Sequence, residues 1–476
     1  MRARFMRRAP VAAVALWLAG CTTSPTTPDS LRSPSVVAQR FSVAASDPSA
    51  PTARPSPASV DAPELAWDRF FTDPRLQALI RTALQHNRDL RVAALNVEQA
   101  RAQAAIRDAD LWPTVNAGVG GSRVPTNTGG VSTTVTGGLT TAAYEVDLFG
   151  RVRQQADAAQ QQFRASEFLQ SAARASLIAA VAAAHVSLQA DEALLRITQD
   201  TVRSRQDNLQ IVQGRVKAGA ASALEEAQAQ ALLQSARAAL AQVQRQHAAD
   251  ESSLVLLLGS PLPGDLPTAR ALAPNPGQAI PALQADLPSE VLARRPDIAA
   301  AEAQLRAASA NVEAARRAYF PRITLTASYG QASRELSSLF SGGSWVWGVA
   351  PQLLAPIFDA GRIRAGVQQA QAAQQAAVAQ YEKSIQVAFK EVSDALNARR
   401  MLADQAQALQ AQVQAEVQRL QLADTRWRLG ASSYLEVLDA QRSLYAAQTA
   451  WVQVQALVLT NQATLYKALG GGSGQG

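Results

Sequence analysis

Apolar side chains recur at steps of three and four along most of this chain, and the longest such run lies between Gly361 and Gly430. Val378, Tyr381, Ile385, Ala388, Val392, Leu396, Leu402, Leu409, Val413, Val417 and Leu420 mark its apolar stripe. A mean step near 3.5 is the signature of helices packed as a coiled coil. About 70 residues pass without a proline, and at about 1.5 Å per residue they predict one helix on the order of 100 Å long. A rod of that length cannot fold up inside a globular domain.

A second copy lies upstream. Gly150-Arg-Val-Arg153 aligns with Gly361-Arg-Ile-Arg364 at an offset of 211 residues, as do Gly219-Ala-Ala-Ser222 with Gly430-Ala-Ser-Ser433 and Leu258-Gly259 with Leu469-Gly470. In the first copy Val181, Leu188, Leu195, Val202, Leu209 and Val216 fall one heptad apart, a spacing that imposes a left-handed supercoil. Further upstream, Asn87-Arg-Asp-Leu90 aligns with Arg295-Pro-Asp-Ile298, and Pro113 with Pro321, at an offset of 208. The chain is therefore a duplicated long-helix hairpin. Its parts are a first repeat over 63–259, with helices at about 74–110, 150–217 and 222–258, and a second over 289–470, with helices at about 289–319, 361–429 and 433–469. Seven prolines between Pro261 and Pro288 exclude a continuous helix there, so 260–288 reads as a connector, and 471–476 as a tail.

The pattern changes to period two in only two intervals, about 113–148 and 321–358. Ile323, Leu325, Ala327 and Tyr329 alternate with Thr324, Thr326 and Ser328, and Trp345, Trp347 and Val349 follow a Ser/Gly turn. Val115, Ala117 and Val119, then Tyr144, Val146 and Leu148, form a weaker first version. Two hairpins give four strands, each with one apolar face. If that face meets lipid, open edges leave backbone groups unpaired at several kcal/mol each, so only a closed barrel is tolerated. Membrane barrels need about eight strands or more. Several copies of the chain must then contribute to one barrel, unless the strands form a small soluble sheet capping a helical rod.

The formal charge of +7 is inflated by Arg2, Arg4, Arg7 and Arg8. The remainder is mildly basic with interspersed charges, which fits a solvated helical surface and not a nucleic-acid partner. Residues 1–20 read as a secretory signal, a basic start followed by the apolar run Val11 to Leu18. The run is too short to span a membrane as a mature helix. Leu18-Ala-Gly-Cys21 resembles the lipobox of bacterial lipoproteins, which implies acyl chains on Cys21, the only cysteine. Residues 21–62, rich in Ser, Thr, Pro and Ala, read as a tether.

With these pieces in place, the chain resembles the lipid-anchored branch of the TolC-like outer-membrane efflux proteins. The resemblance rests on Tyr144-Glu-Val-Asp-Leu-Phe-Gly-Arg151, Ala355-Pro-Ile-Phe-Asp-Ala-Gly-Arg362, Arg294-Arg-Pro-Asp-Ile298, Tyr319-Phe-Pro321, Tyr434-Leu-Glu-Val-Leu-Asp-Ala-Gln-Arg-Ser-Leu-Tyr445 and Leu465-Tyr-Lys-Ala-Leu-Gly-Gly471. It implies a mainly α fold with a transmembrane β-barrel: three chains of four strands make a twelve-stranded barrel above a periplasmic α-helical tunnel. It also implies a homotrimer held in outer-membrane lipid, a periplasmic adaptor protein, and an inner-membrane pump expected to be proton-driven. The function it implies is a passive exit duct of a tripartite efflux system. The alternative reading is a lipid-anchored periplasmic coiled-coil scaffold without a pore.

No enzyme motif, P-loop or dinucleotide fingerprint is present in the sequence, and no cofactor is expected. His86, His185 and His247 lack paired metal-ligand spacing, and only Met401 follows the signal region, which argues against a methionine relay for soft metals. Asp147 and Asp359 read as helix caps or turn formers. The informative residues sit at the helix turns, Gly219 and Gly430, where Ser222 to Glu225 and Ser433 to Glu436 match the capping box. The resemblance makes these turns the adaptor-docking end of the tunnel. It places Asp439, with Glu436 one turn before it, at a narrow periplasmic entrance and Trp427 at a bulky constriction, although packing between helices accounts for Trp427 equally well. Three symmetry-related carboxylates would form a cation-attracting ring with a raised pKa. The first copy has Gln228 in place of Asp439, so the hairpin fold does not require the acid. Ser432 stands where related gates carry a basic residue.

Overall fold

The computed structural model of the chain describes residues 66–127, 129–264, 266, 295–339 and 345–471. The signal region, Cys21, the tether, most of the Pro-rich connector and residues 472–476 lie outside the described residues. In chain order the elements are α1 (Trp67–Phe70), α2 (Pro74–His86), α3 (Arg88–Ala109), β1 (Asn116–Pro125), β2 (Val131–Glu145), α4 (Arg151–Lys217) and α5 (Ala223–Leu258). The second repeat follows as α6 (Pro296–Arg317), β3 (Arg322–Ser333), β4 (Trp345–Leu354), α7 (Arg362–Arg428) and α8 (Tyr434–Ala468).

Both rods, α4 and α7, have 67 residues, about 100 Å at 1.5 Å per residue. Each starts behind a left-handed glycine, Gly150 or Gly361. An aspartate caps each start: Asp147 accepts from the backbone N–H of Val152 (3.2 Å) and Arg153 (2.8 Å), and Asp359 from Gly361 (2.9 Å) and Ile363 (2.8 Å). The helix expected over 74–110 is in fact two. Asn87 leaves the helical region at φ −60°, ψ 132°, and its side chain accepts from the N–H of Leu90 at 2.8 Å, starting α3 afresh. The helix expected from 289 is described only from Pro296, where proline sits at the first helical position.

The packing is thin. Three apolar clusters lie along the rods in place of one thick core. One joins α1 and α2 to α4, α5 and Tyr466 of α8 through Leu79, Ile80, Val181, Leu254 and Leu258. A second joins Ile298 to Val392, Leu396 and Leu465. The third ties the far ends of the two hairpins together through Leu209, Val212, Leu233, Trp427, Val437 and Leu438. Helix α4 packs on α2, α3, α5, α6 and α8, whereas α7 packs chiefly on α6 and α8. The helical layer therefore has α4 in its middle and α3, α5 and α7 along its borders.

The four strands form one antiparallel sheet in the order β1-β2-β3-β4, so the two hairpins are joined edge to edge through β2 and β3. At that seam Gly138 pairs with Gly330, and a Cβ on either would come within 2.5 Å of the partner strand's backbone. Only glycines let the repeats meet this closely. Strands β1 and β4 are left as open edges.

Candidate functional site

The register assigns every strand residue to a face, because directly paired residues share one. Tyr329 pairs with Trp347 and Leu139, Ala327 with Val349, Leu325 with Pro351 and Tyr144, and Ile323 with Leu353. That face is apolar at these positions, and Gln331, Thr133 and Arg123 share it only toward the far end of the strands. Thr324, Thr326, Ser328 and Gly330 lie on the other, with Thr136, Gly138, Thr140, Gly118 and Gly120. It carries small hydroxyl and glycine residues, and its charges, Glu145 and Arg322, sit at the rim next to the helices. An apolar outer face and a small polar inner face are what a water-filled membrane barrel requires.

Aromatic residues mark both ends of the apolar band. Tyr329 and Trp345 stand at the far end with ring centroids 5.2 Å apart. At the helix end Phe149 stacks on Phe320 at 5.0 Å, beside exposed Trp112 and Tyr319, and Ile357 and Phe358 are 93% and 90% exposed. Nine residue steps, mostly along β3, lead from Phe320 to Tyr329, about 30 Å along a strand and roughly 23 Å across a membrane at the usual tilt. That matches the apolar band of an outer-membrane barrel. Aromatic girdles at the two interfaces follow from rings that are apolar with a polar edge.

At the opposite end of the rods the two turns are built alike. Gly219 (φ 71°) and Gly430 (φ 73°) take the left-handed conformation that closes a helix C-terminus. Ala220 N–H bonds Arg215 O and Ala431 N–H bonds Arg426 O, both at 2.8 Å. The guanidinium of Arg215 reaches the carbonyl of Ala220, and that of Arg426 the carbonyl of Ala431, both at 3.5 Å. Ser222 accepts from Glu225 N–H at 3.3 Å. The expected second capping box does not form: the Ser433 side chain makes no cap bond, Glu436 N–H bonds the Ser433 carbonyl, and the Glu436 carboxylate pairs with Arg426 at 3.6 Å. The hydroxyl of Ser432 is buried without a partner.

Asp439 is bound on both sides. Arg419, on α7, bonds one carboxylate oxygen, and Arg442, one turn along α8, bonds the other at 2.5 Å. Arg419 also reaches Glu416 (3.3 Å) and the Ser443 hydroxyl (3.4 Å). The hydrogen bond from Arg419, with the charge of Arg442, holds the Asp439 carboxyl below its usual range. Within one chain this opposes the raised value expected for a ring of bare acids. Trp427 is only 4% exposed. It lies 5.0 Å from Tyr434 and beneath the Arg215 guanidinium at 4.9 Å, so within one chain it packs the two hairpins together.

Arg419 and Arg442 are the site residues that sequence reading missed. Arg442 was visible as the i+3 neighbour of Asp439. Arg419 was visible by reflection, since residues equally distant from a helical turn face each other, as Arg426 and Glu436 also do. His185 is 2% exposed and lies 3.1 Å from Asp73, a structural pair. Among the described residues no group of three His, Cys, Asp or Glu is placed to hold a metal ion.

Long helices ending in exposed turns, joined to an outer-membrane type of sheet, define an outer-membrane channel with a helical duct. The comparisons with known proteins agree. The model of the family described as outer membrane efflux protein matches residues 79–260 and 287–471, and the chain belongs to that family. It is 43% identical to the antibiotic efflux pump outer membrane protein ArpC of Pseudomonas putida over 447 residues, 92% of each chain. To the outer membrane protein OprJ of Pseudomonas aeruginosa it is 40% identical, covering 97% of this chain and 95% of OprJ. Among solved structures it superposes on the open state of the Neisseria gonorrhoeae MtrE outer membrane channel with a TM-score of 0.80 at 40% identity, covering 88% of this chain and 94% of that one. On CusC the TM-score is 0.81 at 37% identity, covering 92% and 98%. The family's members are transport conduits and not enzymes.

Proposed function

We propose that this chain is the outer-membrane exit duct of a tripartite efflux system, working as a homotrimer. The observation that carries this reading is the open four-stranded sheet, apolar on one face and small and polar on the other, with both outer strands unpaired. Two copies would give eight strands, an interior that side chains just fill. Three give twelve and leave a lumen. The exposed apolar residues on border helix α3 (Val92, Leu95, Ile106) and on α7 (Val387, Leu422) then meet neighbouring copies.

The turns at Gly219, Ser222, Gly430 and Ser433, with exposed Leu224, Leu429 and Leu435 beside them, are the surface for a periplasmic adaptor that joins the duct to a proton-driven inner-membrane pump. Asp439 and Glu436 line the entrance, where Arg419 ties α7 to α8 and latches it. Acyl chains on Cys21 add an anchor in outer-membrane lipid, a reading that rests on Leu18-Ala-Gly-Cys21. The cargo is small organic molecules, since relatives are named for antibiotic and toluene efflux.

The test is conductance in planar bilayers together with chemical cross-linking of the purified protein. The duct predicts trimers and unitary channel steps. Stable monomers in detergent with no conductance would replace it by the scaffold reading.

A further inference from the structure

Along the first hairpin, carboxyl groups on two neighbouring helices come together. Asp191 on α4 is only 7% exposed, and its Oδ2 has no hydrogen-bond partner. Opposite stands Asp250 on α5, close enough for a side-chain hydrogen bond to Asp191. Gln246 donates to Asp250 Oδ1 at 3.1 Å. A buried oxygen without a partner costs free energy, and two charged carboxylates in contact cost more.

The surroundings offer little relief. His247, also on α5, is the one nearby group that favours the Asp191 anion. Helix α8, which packs on α4 through Thr198 and Tyr445 (3.1 Å), has no Asp, Glu, Lys, Arg or His between Arg442 and Lys467. From α2, Asp73 is engaged by His185, six residues away along α4.

We propose that Asp191 and Asp250 share one proton, forming a carboxylic acid–carboxylate clasp that holds α4 to α5 and lets go as the pH rises. Burial first, and then the hydrogen bond and charge of Asp250, push the Asp191 carboxyl up to about 6. The folded hairpin therefore holds a proton that the unfolded chain has already lost. The clasp is complete below the ordinary carboxylate value of 3.8, and its contribution falls away as pH climbs from there through about 6. The second hairpin lacks the device: at an offset of 211 its counterparts are Leu402 and Asn461, and Asn461 donates to the Ala395 carbonyl at 2.9 Å.

Hydrogen exchange on the full-length protein in detergent, corrected for intrinsic rates, reads the clasp directly. Segments 185–196 and 245–254 should lose protection by about tenfold between pH 5 and 7.5, because a carboxyl raised to about 6 gives up about one unit of its linkage over that range. Segments 396–407 and 456–465 of the second hairpin should not change over that range. Asp191→Asn supplies a permanent amide donor to Asp250 and should keep the acid-level protection at both pH values. Equal protection of the wild-type first hairpin at pH 5 and 7.5 would overturn the proposal. So would unchanged pH dependence in Asp191→Asn, or a clasp that holds at pH 7.5 until EDTA is added, which would assign the site to a divalent cation.

Discussion

Helices α4 and α7 have the same length, the same glycine at each end and related sequences, yet one is the interior of the wall and the other its border. Twenty residues of α4 are buried and six of α7, although the apolar stripe is as regular in the second as in the first. From Leu402 to Leu420 that stripe is only half covered within one chain. Duplication made two rods of one kind, and position in the layer then decided which would find partners within its own chain. A stripe only half covered within its own chain is the area that the proposed trimer would cover with a neighbouring copy.

That contrast can be broken most severely at one equivalent position. Ala190 on α4 is buried, and Met401, 211 residues later on α7, is exposed. Ala190→Glu should cost the chain on the order of 4 kcal/mol, and Met401→Glu under about 0.5 kcal/mol, in urea unfolding of the detergent-solubilised protein. Similar losses at both sites would refute the placement of α7 at a border.

The junctions where each repeat closes on itself give the next largest effect. Asn87 donates to the Leu257 carbonyl at 2.8 Å, and Arg295 to the Ala468 carbonyl at 2.8 Å. The two acceptors are 211 residues apart, so the repeats solve the same problem, anchoring the end of the returning helix, with different side chains. Arg295 is also held by Asp297 (2.8 Å) and Glu391 (2.6 Å). Arg295→Met removes the cation shared by two half-exposed carboxylates and the bond to the Ala468 carbonyl, and should cost about 2–3 kcal/mol. Asn87→Ala removes one bond and one cap and should cost about 1–2 kcal/mol. Thermal unfolding of the two variants side by side decides the order.

Smaller differences lie at the turns. Ser222→Ala should cost about 1 kcal/mol and Ser433→Ala a few tenths, because only the first serine caps its helix. For Asp439 the sign is that of a depressed carboxyl: the bond to Arg419 is intact at neutral pH and is lost as pH falls below 3.8. A conductance change that the wild type shows only in acid should already be present at pH 7 in Asp439→Asn. An unchanged channel in that variant would remove the latch from the account.

Much of this was legible in the sequence because it is written in periods and repeats. The heptads, the strand alternation and the 211-residue offset depend on neighbouring positions along the chain. What depended on a single side chain was not. The break at Asn87 looked like continuous helix, although its counterpart Arg295-Pro296 already showed a helix start. The capping box at Ser433 matched its motif, yet Glu436 was drawn to Arg426 instead. For Trp427 the resemblance offered a constriction and helix packing served equally well; within one chain its ring fills the gap between hairpins. Arg419 is twenty residues from Asp439 in sequence and became its partner only because a turn lies midway between them.

The seam at Gly138 and Gly330 carries one more implication. Because both repeats are fused there, a newly made molecule arrives as a single finished stave, never as a small ring. In the proposed trimer a surplus or lone copy would therefore leave the envelope sealed, and leakage would begin only when the third stave closed the cask.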